Sequence, residues 1–468
     1  MTIMPDATPD SFIENRTFDE LTLGESASLS RTVEQRDIDL FATVSGDVNP
    51  AHLDPAYAET DMFHHIIIHG MWGAGLISAV LGTELPGPGT IYLGQDLRFR
   101  LPVAIGDTIT ATLTVKEKDP EKHDVVFDCL CTNQQGATVI SGTAYTRAPT
   151  AKIRRPRAAL PYVRLSRHQA MRALEARAAA GAAVATAVVH PVDAASLLAA
   201  VEAAATGLII PILIGPAVLI RAAAEAAGAE IGGFRLIDTA DAAESAARAV
   251  ALVRGGEAAL LMKGDLHTDV LMHPVVAAAT GLRTARRISH VYLMDVPDYP
   301  RPLLLTDAAV NVVPSLPEKA GIVQNAIDLA HALGIEAPRV AILAAVETVN
   351  DQMPSTLHAA ALCKMADRGQ ITGGVLDGPL AFDNAISEAA AAEKGILSPV
   401  AGRADILVVP DLEAGNMLAK QLTFLAGAEA AGVVLGARVP IILTSRADSA
   451  ATHLASCALA VLMARAGR

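Results

Sequence analysis

Ser45-Gly46-Asp47-Val48-Asn49-Pro50-Ala51-His52-Leu53-Asp54 sets a carboxylate and an imidazole five positions apart around a turn. Gly46 and the Asn49-Pro50 pair favour a tight reversal, which brings Asp47 and His52 to face one small volume. A paired acid and base suits the addition or removal of water next to a carbonyl. Asp54 fits a helix-capping or supporting role better than a catalytic one. Downstream, Met71–Leu81 reads as a small apolar helix, and Ile91–Leu101, Thr108–Lys116, Val125–Thr132 and Thr138–Thr146 read as strands. Turn signals at Gly106-Asp107 and Gln135-Gly136 separate them. An apolar helix followed by antiparallel strands predicts an α+β domain over residues 1–150, with a sheet wrapped around a central helix.

The stretch 148–162 holds three prolines and four basic residues without an apolar period, and a linker is predicted over 151–162. From 163 to 468 the pattern becomes short apolar runs alternating with Ala-rich helical stretches. The runs are Ala183–Val189, Ile209–Ile214, Ala258–Met262, Val291–Met294, Leu303–Thr306, Val340–Ala344, Ile406–Val409 and Ile441–Leu443; helices are expected over 218–228, 240–254, 317–333 and 414–431. Such alternation predicts an α/β fold with parallel sheets and ligands beyond the carboxyl ends of strands.

A chain of 468 residues exceeds one ordinary core, so two or three domains are expected. The aromatic fraction of 3% leaves the core to aliphatic side chains. A net charge of −13 argues against nucleic-acid binding. The four cysteines form no C-x-x-C pair, so neither a disulfide framework nor a zinc site is expected, which suits a reducing cytoplasm. Cys129 and Cys131 are expected to be buried and inert. Met1–Asp10 is polar and lacks the apolar segment of a secretory signal. Gly207–Ile220 is apolar but carries Pro211 and Pro216 and falls short of the ~20 residues of a membrane span, so a buried strand ending at Gly215-Pro216 is predicted. His65 and His69 stand four apart, but the β-branched run between them and Gly70 after them predict a loop with ordinary histidines rather than a zinc helix. Leu85–Gly89 lacks the Lys-Ser/Thr ending of a phosphate loop.

Ser45–Ala58, Ile68-His69-Gly70-Met71 and Leu85–Leu93 together resemble the MaoC-like family of (R)-specific enoyl-CoA hydratases over about 16–147. The resemblance implies a hotdog fold, usually dimeric, with Asp47 and His52 as the catalytic pair and the Gly70 N–H polarising a thioester carbonyl. Where some relatives carry a serine in the central helix, this chain has Gly75.

Residues 163–466 resemble the phosphate acetyl/butyryltransferase family. The matching segments are Pro211–Gly215, Asp377-Gly378-Pro379-Leu380-Ala381-Phe382-Asp383-Asn384-Ala385, Ser398–Gly402, Pro410–Asn416 and Thr444-Ser445-Arg446. The Asp377–Ala385 run leans toward the butyryl branch. The resemblance implies two α/β subdomains, the second inserted over about 284–430, with a cleft between them. Direct transfer of an acyl group between CoA sulfur and phosphate needs a cation for the phosphoryl oxygens, a polar group at the tetrahedral centre and a base for the thiol. Ser445 and Arg446 carry over to the first two roles, and Gly415 and Asn416 to the cleft. The acetyltransferases' aspartate is Thr452 here, and their arginine before a proline is His273. Asn49, Asp448, Arg286 and Arg287 are the further candidates for holding substrate or CoA, beside Arg283.

The sequence therefore predicts a bifunctional, homo-oligomeric enzyme. It hydrates a trans-2-enoyl-CoA and exchanges CoA for inorganic phosphate, with no metal or resident cofactor, nucleic acid or membrane. The alternative is an active hydratase carrying a CoA-binding platform.

Overall fold

The structure is a computed structural model that describes residues 12–160, 163, 169–297, 299–444 and 449–467. It divides into two compact units, residues 1–165 and 166–468. Among the described residues no helix is long and apolar enough to cross a membrane.

The first unit holds strands β1 (Phe12–Glu14), β2 (Ser26–Thr32), β3 (Ile91–Phe99), β4 (Thr108–Asp119), β5 (Asp124–Thr132), β6 (Thr138–Arg147) and β7 (Arg154–Pro156). Five form an antiparallel sheet in the order β2-β4-β5-β6-β3, so β3 lies at an edge. Side chains alternate along β4 and β5, and Ile109, Ala111, Leu113 and Val115 of β4 and Val125, Phe127, Cys129 and Cys131 of β5 all point inward. They close over the helix Gly70–Thr83, which buries Trp72, Leu76, Ile77, Val80 and Leu81. Burial of this kind contributes roughly 1.5–3 kcal/mol for each large apolar side chain, which outweighs the poor helix propensity of four glycines in that segment. Strand β2 went unread in the sequence because its Ser and Thr face outward and only Ala27 and Leu29 turn inward.

The stretch expected to be a linker is partly structural. β7 pairs antiparallel with β1, placing Phe12 opposite Pro156 and Glu14 opposite Arg154. Asn15 donates from Nδ2 to the Ala151 carbonyl at 2.9 Å and accepts from the Ile153 N–H at 2.9 Å. Residues 151–156 thus belong to the first unit.

The second unit holds β8 (Val184–Val189), β9 (Ile209–Gly215), β10 (Arg235–Asp238), β11 (Leu260–Lys263), β12 (Ser289–Asp295), β13 (Leu303–Thr306), β14 (Arg339–Leu343), β15 (Val375–Leu380), β16 (Ile406–Val408), β17 (Glu429–Leu435) and β18 (Ile441–Ile442). They make one sheet ordered β10-β9-β8-β11-β18-β17-β12-β13-β16-β14-β15. The stretch from β12 to β16 builds one end of it, and the chain returns through β17 and β18 to the other. Gly207–Ile220 is β9 followed by a helix from Ala217.

The sheet is not wholly parallel, as alternation alone predicted. β10, β9, β8, β11 and β18 run parallel, as do β13, β16, β14 and β15. β17 is antiparallel to β18 and to β12, and β12 is antiparallel to β13. The two parallel sets therefore run in opposite senses, and their carboxyl ends leave from opposite edges of the sheet. The helix expected over 414–431 ends at Phe424, and β17 begins at Glu429. Ala-rich composition made that strand read as helix, and its pairing on both sides overrides the propensity.

Candidate active sites

In the first unit, the helix Gln35–Ser45 ends at Gly46, whose φ of +75° is the left-handed conformation that turns the chain into Asp47. Asn49 caps the short helix Pro50–Leu53, accepting from Ala51 N–H at 3.1 Å, and this helix presents His52. Asp54 caps the next helix through Ala56 N–H and Tyr57 N–H, as its position suggested.

His52 is half-buried, and its Nδ1 donates to the Ile67 carbonyl at 2.8 Å. That bond assigns the proton to Nδ1 and leaves Nε2 as the lone-pair nitrogen of a neutral imidazole. The exposed Asp47 carboxylate lies within 4.8 Å of ring nitrogens of both His52 and His69.

His69 was set aside in the sequence as an ordinary loop histidine; the fold places it in the cluster. It is 2% exposed and donates from Nε2 to the Asp47 carbonyl at 3.0 Å. Its ring stacks on that of His52 with centroids 3.9 Å apart and meets Phe41 at 4.9 Å. The only signal for it in the sequence was its place directly before Gly70 at the helix start. Asp47, His52 and His69 form a ligand-like trio, but both imidazoles already donate to backbone carbonyls, which suits an acid–base cluster.

His52, His69 and Gly70 line a cavity of about 320 Å³ whose other walls include Phe63, Ile67, Trp72, Phe99 and Ile140. Gly70 is the first residue of the central helix, where backbone N–H groups lack intrahelical partners. Gly75 faces a second cavity, with Phe41 and Trp72, and has nothing within 4 Å of where a Cβ would stand.

In the second unit the candidates fall into two groups. One lies where β8, β11 and β18 end: His190, the run Lys263-Gly264-Asp265 and Thr444. Ser445, Arg446 and Asp448 follow directly in sequence and lie outside the described residues. Thr452, in the first turn of the helix Ala450–Ala466, has its hydroxyl 3.1 Å from that of the capping Ser449. His273 is exposed on the helix Thr268–Val276.

The other group lies at the opposite edge. Asp307 accepts from the N–H groups of Ala309, Val310 and Asn311 at 3.0–3.2 Å. Gly415 lies against this turn, and a Cβ there would stand 3.0 Å from the Asp307 carbonyl oxygen and 2.7 Å from Val409. Asn416 Nδ2 donates to the Ala308 carbonyl at 3.3 Å. Gly415 and Asn416 therefore hold this turn, and sheet polarity does not bring them to the edge where Thr444 leaves β18. Arg287 is committed to Asn311 Oδ1 at 2.6 Å and Glu318 at 2.8 Å, and Arg286 pairs with Asp328 at 3.2 Å. Burial pushes the thiols of Cys129, Cys363 and Cys457 up to about 12 and that of Cys131 to about 11, so none serves as a nucleophile near neutrality.

Comparison with known proteins covers both units. The family model for the MaoC like domain matches residues 22–129, and that for phosphate acetyl/butaryl transferase matches 239–461. A phosphate acetyltransferase of Rhizobium meliloti is 63% identical over 291 residues, spanning 62% of this chain and 92% of that protein. A branched-chain phosphotransacylase from Enterococcus faecalis V583 is 30% identical with a TM-score of 0.54, covering 60% of this chain and 99% of that one. The R-hydratase PhaJ1 of Pseudomonas aeruginosa is 46% identical over 33% of this chain and 100% of its own, with a TM-score of 0.33. Through its C-terminal part the chain belongs to the phosphate acetyl/butyryltransferase family, and it carries a MaoC-like domain ahead of it.

Proposed function

We propose that the chain is a bifunctional enzyme of acyl-CoA metabolism, an enoyl-CoA hydratase joined to a phosphate acyltransferase. The observation that carries the first half is the Asp47 carboxylate set against His52, whose Nε2 keeps its lone pair, beside an apolar cavity that opens on a helix N-terminus. A trans-2-enoyl thioester lies with its chain in the cavity and its carbonyl oxygen toward the Gly70 N–H, which stabilises the enolate-like charge as it develops. Asp47 and His52 orient one water, whose oxygen bonds to C3 and whose proton is delivered to C2, giving an (R)-3-hydroxyacyl-CoA. A cavity of about 320 Å³ is at the small end of ligand sites, which supports a short chain.

In the second half, family membership supports exchange of CoA for phosphate on a short acyl group, acetyl or butyryl. The family resemblance assigns the phosphoryl oxygens to Arg446 and the tetrahedral centre to Ser445. Neither step calls on a metal or resident cofactor; acyl-CoA, CoA and phosphate are substrates. The compartment we assign is the cytoplasm. A homo-oligomer is supported by the edge strand β3, whose Ile91 and Leu93 are exposed.

Assays of the purified chain with crotonyl-CoA, and with acetyl-CoA or butyryl-CoA plus phosphate, test both halves. Hydration without acyl phosphate formation favours the second reading, a CoA-binding platform. The observation on its side is Thr452, whose hydroxyl lies beside a helix cap where the acetyltransferases have a carboxylate.

A further inference from the structure

We propose that the crevice beyond the carboxyl ends of β13, β16 and β14 binds a phosphoryl group on the ammonium of Lys319. The site goes beyond the two reactions above. Lys319 lies in none of the segments that carry the family resemblance, and these strands end at the edge opposite Thr444.

β13, β16 and β14 are parallel neighbours, so their carboxyl ends share one edge. The helices that follow them part there. Leu316–Ala332 and Pro354–Asp367 bury Val323 and Leu362 on the sheet face that carries Leu304 and Ile406. Leu412–Phe424 buries Ala419 on the other face, with Leu305 and Leu407. Helices leaving to opposite faces open a crevice at the strand ends, where α/β sheets receive ligands. The helix Pro354–Asp367 starts at this edge, and its capping residue Met353 offers no side-chain acceptor. The uncapped N–H groups of that first turn favour an anion.

Lys319 stands in the first turn of Leu316–Ala332. Helical side chains lean toward the N-terminus, so its ammonium reaches back to the strand ends. The residue is 4% exposed. Among the described residues its ammonium has no hydrogen-bond or ion-pair partner. A buried cation left so is costly. The carboxylate that acts on it, Asp411, lies beyond ion-pair reach and is engaged as a helix cap, accepting from Ala414 N–H at 2.9 Å. Burial draws the Lys319 ammonium below its ordinary value against the pull of Asp411. His358, on the helix Pro354–Asp367, is lowered by its own burial and by the Lys319 charge. That ring is therefore neutral near pH 7, and Lys319 is the cation of the crevice. A phosphoryl oxyanion seated here accepts from the ammonium and from the uncapped N–H groups. Its three terminal oxygens meet both sets of donors at once.

The test is calorimetric titration of the full-length protein with inorganic phosphate, CoA and 3′-dephospho-CoA at pH 7. An R446Q background removes the residue that the family resemblance assigns to phosphate at the other edge. R446Q is expected to bind phosphate or CoA. R446Q/K319M, which keeps the buried stem and removes the charge, should bind it roughly 10- to 100-fold more weakly. K319R in the same background should keep most of the affinity, which a merely structural role for Lys319 does not predict. Phosphate binding that CoA fails to displace identifies the free ion as the occupant. Binding of CoA but not of 3′-dephospho-CoA identifies the CoA 3′-phosphate. Equal affinity with and without Lys319 overturns the inference, as does absence of binding by R446Q. Urea transitions report that each variant is folded; should K319M unfold, K319Q is titrated in its place.

Discussion

At the residue scale, His69 shows how much a single buried ring controls. Its Nε2–H holds the Asp47 backbone and its face supports His52. We therefore expect His69→Phe, which keeps the stacking surface but loses the donor, to lower kcat for crotonyl-CoA hydration roughly 10- to 100-fold with little change in KM, since a misplacement of about 1 Å costs that much. His69→Gln, able to donate to the same carbonyl, should recover part of the loss. A loss seen in KM alone would count against this role. His290 offers a different test. Burial pushes its imidazole from 6.5 down to about 4, against the pull of Asp307, and its Nδ1 is buried without a partner. Between those two pH values the unfolded chain takes up a proton that the folded chain refuses. Stability of the second unit is therefore unaffected above about 6.5 and falls as the pH drops toward 4, by on the order of 3 kcal/mol in all. His290→Gln should flatten that acid limb in urea titrations at pH 7 and 5; parallel limbs in the two proteins would refute the assignment.

At the element scale, the pairing of β7 with β1 sets where the first unit ends. Lys152 Nζ donates to the Asn15 carbonyl at 2.6 Å and pairs with Glu20 at 2.9 Å, and Asn15 bonds twice to the 151–153 backbone. A fragment ending at 150 loses all of these, and one ending at 160 keeps them. At about 1 kcal/mol for each hydrogen bond, the shorter fragment should be less stable by roughly 2–3 kcal/mol; equal melting temperatures would show β7 to be dispensable. The strands legible in the sequence were those with β-branched alternation, such as β4, and those with long aliphatic runs, such as β9. β10, β15 and β17 were not legible, being short, proline-bearing or alanine-rich. They exist because neighbours on the sheet supply ladder partners, information that is absent from any local window.

At the scale of the molecule, each unit has its own core, around the central helix in the first and across the large sheet in the second. Substitutions at one chemistry should leave the other untouched. Asp47→Ala is expected to cut crotonyl-CoA hydration by 10²–10⁴-fold, while acyl phosphate formation by the same full-length protein stays within about twofold. A parallel fall in both would show that the units depend on one another. The sequence by itself determined the spacing of Asp47 and His52, the turn that joins them, the central helix and the family of each unit. Those features are local: a residue type, a spacing or a periodicity carries them. Only the tertiary structure decided the rest. It brought His69 onto His52 from seventeen positions away, and it turned the supposed linker into a strand. Through the antiparallel β17 it sent the 410–416 segment and the 444 strand end to opposite edges of one sheet. The physical reason is common to all three: strand pairing and ring stacking join residues distant in sequence, and their direction is set by the partner rather than by the segment itself.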